Sequence, residues 1–417
     1  MVNGNTIHYI SSGMSHTRIN SIHEQQTVDW VKHVIRKMTT DDYQFGFLYN
    51  AFTEKSLGKL FSAKYRDVLC DIHADSGGLQ MITLGKQVTP EIKKQIYKHQ
   101  AKHSTIAMSF DEIPVTSSGV LDFANRRFNS HLVEEKAIES GKNLVDQLRL
   151  FAEEKTTSKP LLIAQGNDMD TYCRWVDIVQ KQIPSDLLPM LGGVALAGAS
   201  MGNGDLENVR TAFYYSQMDL RFDCKQVHLL GVGSLSRFVP TMVMMKSGLY
   251  KDLVISIDST THTGNVSRNR YFDKRQKVII LGRHYDVRAY EKLYEFYKFF
   301  DTDIESPREL YELIGSGPTL SDLVDAGATG EKVHKFLQGK FAMYLVSAKN
   351  TLDAFAEFLH DVNVDKHVRD YMQTPMKHLQ EVKTLQDYQV WERNFAKYLP
   401  TNAVPNSAPS SLEDFFA

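Results

Sequence analysis

Eight short apolar runs rich in β-forming residues recur along the chain, each followed by a longer segment with helical spacing. This alternation constrains the fold more than any other feature of the sequence. The runs lie at residues 6–13, 43–52, 68–75, 105–112, 160–166, 188–198, 226–233 and 253–259. Between them, stretches such as VDWVKHVIRKM and TYCRWVDIVQKQI place apolar residues at three- and four-residue steps, the pattern of a helix with one buried face. Strands joined through helices lie parallel in one sheet. Two architectures satisfy that rule, a closed (β/α)8 TIM barrel and an open doubly wound sheet. Eight units over roughly 260 residues match the size of the closed barrel, which is the expected α/β fold.

After Asp258 the pattern changes. Residues 259–282 are polar and basic, VIILGRHY reads as an extra strand, and from Tyr285 onward the spacing is helical. The expected organisation is a TIM-barrel catalytic domain over residues 1–300 and a mainly helical C-terminal extension packed on it over 301–400. A tail at 401–417, rich in Pro, Ser and Asn, is expected to be flexible.

Charge and cysteine content narrow the functional class. Lys and Arg number 48 against 50 Asp and Glu, a net charge of −2, so a polynucleotide partner would have to be held by a local basic patch. Cys70, Cys173 and Cys224 lie far apart, which suits reduced thiols in a cytoplasm and neither a disulfide framework nor a metal cluster. The stretch from Leu187 to Met201 is too short and glycine-rich to span a bilayer, and MVNGNTIHYISSG lacks the order of a signal peptide. A cytoplasmic protein with no membrane partner is expected.

Polar and glycine residues gather at the C-terminal ends of the runs, the face on which barrel enzymes carry their active sites. Run three ends in Asp75-Ser76-Gly77-Gly78-Leu79-Gln80, run four in Phe110-Asp111-Glu112 and run five in Gln165-Gly166. Run six contains Gly192-Gly193, run seven ends in Leu230-Gly231-Val232-Gly233, and run eight in Asp258-Ser259-Thr260-Thr261-His262. A single strand-end aspartate is ordinarily a helix N-cap. Several of them converging with glycines on one face suit a flat ligand that touches backbone N–H groups.

The words DSGGLQ, AMSFDE, IAQG, GGVALAG, LLGVGS and ISIDSTTHTGN, in this order, resemble the queuine-type tRNA-guanine transglycosylases and their relatives that modify DNA. The resemblance spans residues 65–270, with weaker helical similarity beyond. It implies a pentosyltransferase that exchanges the base of a guanine nucleoside. Asp258 matches the nucleophile that attacks the sugar C1′ and forms a covalent glycosyl-enzyme intermediate. Asp75 matches the general acid/base that moves the proton on the leaving and incoming bases. Asp111 matches the carboxylate that reads the guanine N1–H and 2-amino group, Gln165 and the Gly193 N–H match donors to O6, and Ser76 supports the pocket. The chemistry is that of a retaining glycosidase, with two carboxylates and double displacement.

The chain also departs from this family. The C-x-C-x-x-C zinc cluster is missing, with no cysteine after Cys224, and Lys349 stands where the family's histidine ligand falls. No metal and no cofactor are therefore expected, and His73, two residues before Asp75, reads as a core or supporting histidine. Leu79 replaces the stacking aromatic and Leu230 the opposing methionine, so the base slot is aliphatic. No acidic residue follows GGVALAGAS before Asp205, so a cationic aminomethyl base would lack a partner. A free base with a neutral substituent, 7-cyano-7-deazaguanine, fits better.

Arg126 and Arg127, and the cluster of Arg268, Arg270, Lys274, Arg275 and Lys277 interleaved with Tyr271 and Phe272, form candidate nucleic-acid contacts. The lost zinc cluster and the rewritten C-terminus resemble the phage and bacterial 7-deazaguanine-DNA transglycosylases. DNA is thus the expected polymer and tRNA the alternative, with the target nucleotide flipped out of its stack. Two rival readings stay open: a non-catalytic nucleic-acid-binding subunit, and a barrel enzyme that grips a small phosphorylated metabolite with Gly231-Val232-Gly233.

Overall fold

The computed structural model describes residues 6–21, 24–78, 88–116, 127–166, 168–197, 205–282, 284–315, 319–361 and 368–399. Its strands are β1 (Ile7–Ser11), β2 (Tyr43–Asn50), β3 (Ile72–Asp75), β4 (Ile106–Met108), β5 (Val115–Thr116), β6 (Arg127–Phe128), β7 (Lys159–Ala164), β8 (Gly193–Leu196), β9 (Gln226–Leu229), β10 (Val254–Ser259), β11 (Arg270–Phe272) and β12 (Val278–Ile280). Eight of them close a barrel in the order β1-β10-β9-β8-β7-β4-β3-β2, every pair parallel. These are the eight runs read from the sequence, and the closed (β/α)8 barrel is the fold. The remaining strands form two antiparallel ribbons, β5–β6 after the fourth barrel strand and β11–β12 after the eighth. The second ribbon holds the extra strand expected at VIILGRHY.

Side chains alternate across each strand, and the two faces pack differently. Outward residues such as Leu162, Val194, Leu196, Val227, Leu229, Ile255 and Ile257 join one large core with the surrounding helices. Inward residues Ile106, Met108, Leu161, Ile163 and Ala195 form a separate apolar cluster, with Ala197 and Leu230 packed against it. Burying each large aliphatic side chain stabilises the fold by roughly 1.5–3 kcal/mol. The helices start where local chemistry says they should. Thr89 accepts the Ile92 N–H ahead of Pro90 in the helix Pro90–His103. Asp168 and Thr171 form a capping box on the helix Met169–Lys181.

The helix Gly330–His360 seals the barrel wall between the helix that follows β1 (Gln25–Met38) and the helix that follows β9 (Leu235–Ser247). On one side the Trp30 and Phe341 rings meet edge to face at 6.0 Å, and Thr27 Oγ1 lies 2.6 Å from His334 Nδ1. On the other, Phe238 meets Phe355 at 5.2 Å. The short helix after β10 (Thr261–Ser267) spans only two turns. It leaves open a gap that the long helix fills with nineteen buried residues. The region beyond residue 300 therefore contributes the outer wall of the barrel's first and eighth strands.

Candidate active site

Asp75 ends β3 and Asp258 is the last residue but one of β10, on the C-terminal face of the barrel, both half-buried. Their surroundings differ. Asp258 accepts hydrogen bonds from the Gly231 N–H at 2.6 Å and the Ser12 hydroxyl at 3.4 Å, and His228 Nε2 lies 3.4 Å from the same carboxylate. Gly231 adopts φ +71, which an L side chain rarely takes, and the turn it makes after β9 presents that N–H to Asp258. Donors on both oxygens suit the charged carboxylate that a nucleophile needs.

Asp75 lies in a poorer environment for charge. Burial pushes its carboxyl up to about 7, opposed by the Gly77 and Ser76 backbone donors and reinforced by the negative charges of Asp111 and Asp258. The Asn50 amide donates to it at 3.3 Å from the end of the neighbouring strand β2. Gly77, at φ +78, turns the chain tightly against that asparagine, where an added Cβ would meet Asn50 Oδ1 at 2.8 Å. A carboxyl near 7 exchanges a proton readily at neutral pH.

Asp111 is buried just beyond β4, and Gln165 Nε2 donates to it at 2.5 Å from just beyond β7. Burial raises Asp111 to about 6, opposed by that amide. Ser76 is buried, its hydroxyl accepts the Gly78 N–H at 3.4 Å, and Gly78 lies against the Asp111 carbonyl. Leu230 follows β9 and caps the inward apolar cluster. Asp75, Ser76, Asp111, Gln165, Leu230 and Asp258 therefore all stand at the same end of the barrel.

Gly192 and Gly193 do not join them. Gly193 is the first residue of β8, paired with Leu161 and Gln226, and Gly192 lies against Lys159 at the N-terminal end of β7. The expected contact from the Gly193 N–H to a base O6 is thus corrected, because that end of the strand is the opposite face of the barrel. The glycine is required there for packing, since a Cβ would lie 1.9 Å from the Gln226 carbonyl. The C-terminal end of this strand is Leu196-Ala197.

The basic residues distribute over two places. Arg268 ends the helix Thr261–Ser267, and Arg270 begins β11 with its Nε buried. Lys274 and Arg275 occupy the turn of the β11–β12 ribbon and line a cavity of about 610 Å³ with Gly233, Ser234 and Arg369. Leu79 and Arg126 lie outside the described residues, and Arg127 is described only as backbone in β6.

Beneath the two aspartates runs a buried polar column of which the sequence picked out only His73, as a core or supporting histidine. His228 Nδ1 lies 2.9 Å from Ser256 Oγ, which also accepts the Gln226 amide at 2.7 Å, and Gln226 Nε2 lies 3.5 Å from His73 Nε2. The His73 and His228 rings stand 4.9 Å apart, and His73 is held well below the usual histidine range by burial and by His228 and His8. Farther down, His8 Nδ1 and Asp71 Oδ2 are 2.7 Å apart, and the Thr105 hydroxyl donates to Asp71 at 3.0 Å. The signal was present in the sequence, because His73, Ser256 and His228 each precede a site residue by two positions, the inward period of a strand. Among the described residues, the one group with three ligand-type atoms within 4.8 Å of one another is His8, Cys70 and Asp71, at the far end of this column.

No protein-family model matches the chain, and no curated protein matches it. No helix among the described residues is long and apolar enough to cross a membrane.

Proposed function

We propose that the chain is a base-exchange pentosyltransferase that replaces guanine in DNA by a free 7-deazaguanine base, 7-cyano-7-deazaguanine being the best match. One observation carries the reading. Two carboxylates face the same barrel mouth, one held by hydrogen-bond donors and the other pushed up to about 7 by burial and then by its neighbours' charge. That is the division of labour a double displacement at a glycosidic carbon requires. Asp258 attacks C1′ and the C1′–N9 bond breaks. The electron pair leaves on guanine, which takes its proton from Asp75. The incoming base then returns a proton to Asp75 as its nitrogen attacks C1′ and the aspartyl ester bond breaks, so the carboxylate of Asp258 is regenerated.

Asp111 and Gln165 supply an acceptor and a donor side by side beneath the mouth, the pair needed to read the Watson–Crick edge of a guanine-like base. The aliphatic cluster capped by Leu230 offers an apolar wall for its flat face. The reading predicts neither a cofactor nor a metal in the reaction.

The test is incorporation of labelled 7-cyano-7-deazaguanine, incubated in parallel with duplex DNA and with tRNA. Label in DNA that disappears in Asp258→Asn supports the proposal. Label in tRNA alone makes the chain a tRNA enzyme, and exchange that persists in Asp258→Asn removes the mechanism. Polynucleotide binding with no exchange by the wild-type protein points instead to a non-catalytic subunit. Tighter binding of the aminomethyl base than of the nitrile overturns the choice of base.

A further inference from the structure

A second basic cavity, of about 420 Å³, opens between the loops that follow the first and eighth barrel strands. Ser15, His16 and Arg18 line one side, Ser267 and Asn269 the other, and Lys340 rises from the long helix Gly330–His360. Among the described residues that line it there is no carboxylate. Lys340 makes a hydrogen bond to Asn269 Oδ1 at 3.3 Å, which satisfies one of its three donors and neutralises none of its charge.

The groups around the cavity register its positive charges. Lys340 is pushed down to about 8 by burial and then by the Arg18 guanidinium. His16 is lowered by burial and by Arg18 and Arg268. Gathering like charges in a half-buried hollow opposes folding, and an anion bound there would offset that cost. The backbone is strained at the same place: Arg18 at φ 65 and Asn269 at φ 50 are both left-handed without being glycine. Both of these residues line the cavity, one bearing a cation and the other accepting a hydrogen bond from the lysine.

The cavity is tied to the candidate nucleophile through the backbone. Ser12, which donates to Asp258, and Gly13, packed against Thr260 and Thr263, lead directly into the Ser15–Arg18 loop. Val266 and Ser267 end the helix that begins three residues after Asp258.

We propose that Arg18 and Lys340 form a phosphate subsite that holds a backbone phosphate of the polynucleotide whose base is exchanged at Asp258. This rests on the polynucleotide reading of the site above. The recognised chemistry is a phosphate oxygen set, which a nucleic-acid backbone or a free phosphorylated small molecule could supply, and the experiment separates these sources.

Binding of a fluorescent duplex oligodeoxynucleotide would be followed by anisotropy across a salt series. The proteins compared are wild type, Lys340→Met, which keeps the buried aliphatic stem, Lys340→Arg, which keeps the charge, and Arg18→Gln. Each neutral variant is expected to weaken binding about tenfold, and the slope of log affinity against log salt to shrink by about 1 for the phosphate lost. Lys340→Arg is expected to restore most of both. Unchanged affinity and slope in a Lys340→Met/Arg18→Gln double variant that melts like wild type would overturn the subsite. Weaker direct binding of inorganic phosphate to the variants by calorimetry, with oligonucleotide affinity and salt slope intact, would assign the cavity to a free phosphorylated ligand and overturn the backbone assignment. Base exchange measured alongside with Asp258→Asn reports separately on the reaction, so failure of the subsite and failure of the reaction give different results.

Discussion

The barrel interior has two unlike halves. Toward β4, β7 and β8 it is filled by Ile106, Met108, Leu161, Ile163 and Ala195, a packed apolar plug of the kind expected inside a small parallel barrel. Toward β3, β9 and β10 the same depth holds His73, Gln226, His228 and Ser256, all buried and linked by close polar contacts. Hydrocarbon would fill that space at lower cost, since each buried polar group must find a partner. The polar half lies directly beneath Asp75 and Asp258, where side chains must be held at fixed angles. The apolar half lies beneath Leu230, where a flat face suffices. Half of the interior is built for orientation and half for cohesion, so damage to the two halves should be felt in different measurements.

The largest effect is expected at the top of the polar half. Asp258→Asn should lower kcat for base exchange roughly 10⁴-fold or more, with an unchanged fold by circular dichroism and no glycosyl adduct by mass spectrometry. Asp75→Asn should lower kcat by roughly 10²–10⁴-fold, the usual range for a general acid. In the wild type, kcat/KM should fall as pH rises through about 7, because on the proposed mechanism Asp75 must carry a proton to release guanine.

The same substitution should show an opposite sign in stability. Asp75 is raised in the folded protein, so its burial costs nothing while both states are protonated and costs most once pH exceeds about 7. Asp75→Asn should therefore melt higher than wild type at pH 8, with the difference vanishing toward acid pH. A variant that melts lower at pH 8 would show that Asp75 is a structural anchor.

In the apolar half, Leu161→Ala should cost roughly 2–5 kcal/mol of stability with kcat changed little at temperatures where the protein stays folded. A large kcat loss without destabilisation would erase the distinction between the halves. The smallest effect is expected for Ser256→Ala, which leaves the Gln226 amide and His228 Nδ1 without their shared partner. It should lower kcat several-fold by loosening His228 beneath Asp258, with a stability loss of roughly 1–3 kcal/mol by urea denaturation.

The barrel was legible because strands and helices announce themselves locally, through alternation of two and of three to four residues. The site was legible where chemistry sat at a strand end, as with Asp75, Asp111, Gln165 and Asp258. It failed at Gly192-Gly193, because the run 188–198 was read as one strand. Leu188–Met190 is in fact a 3-10 turn, and only Gly193–Leu196 enters the sheet, so the glycines fall at the wrong end. It also passed over Asn50 and His228, whose roles depend on which strands are neighbours. The wall-sealing role of residues 330–360 was invisible for the same reason: nothing in their helical spacing says that they return to β1 and β10.

That return sets a timetable. The eighth strand ends at Ser259, but the helix that shields the seam between the last strand and the first begins at Gly330. On the ribosome, a chain with all eight strands outside the exit tunnel still lacks the cover for Tyr9, which in the finished protein is completely buried near Tyr344. Closing a loop of roughly 70 residues adds only modestly to the entropic cost, so the finished barrel loses little stability by it. The delay falls on the newborn chain instead, which must wait with an apolar seam open and vulnerable to neighbours until the segment through His360 has been made.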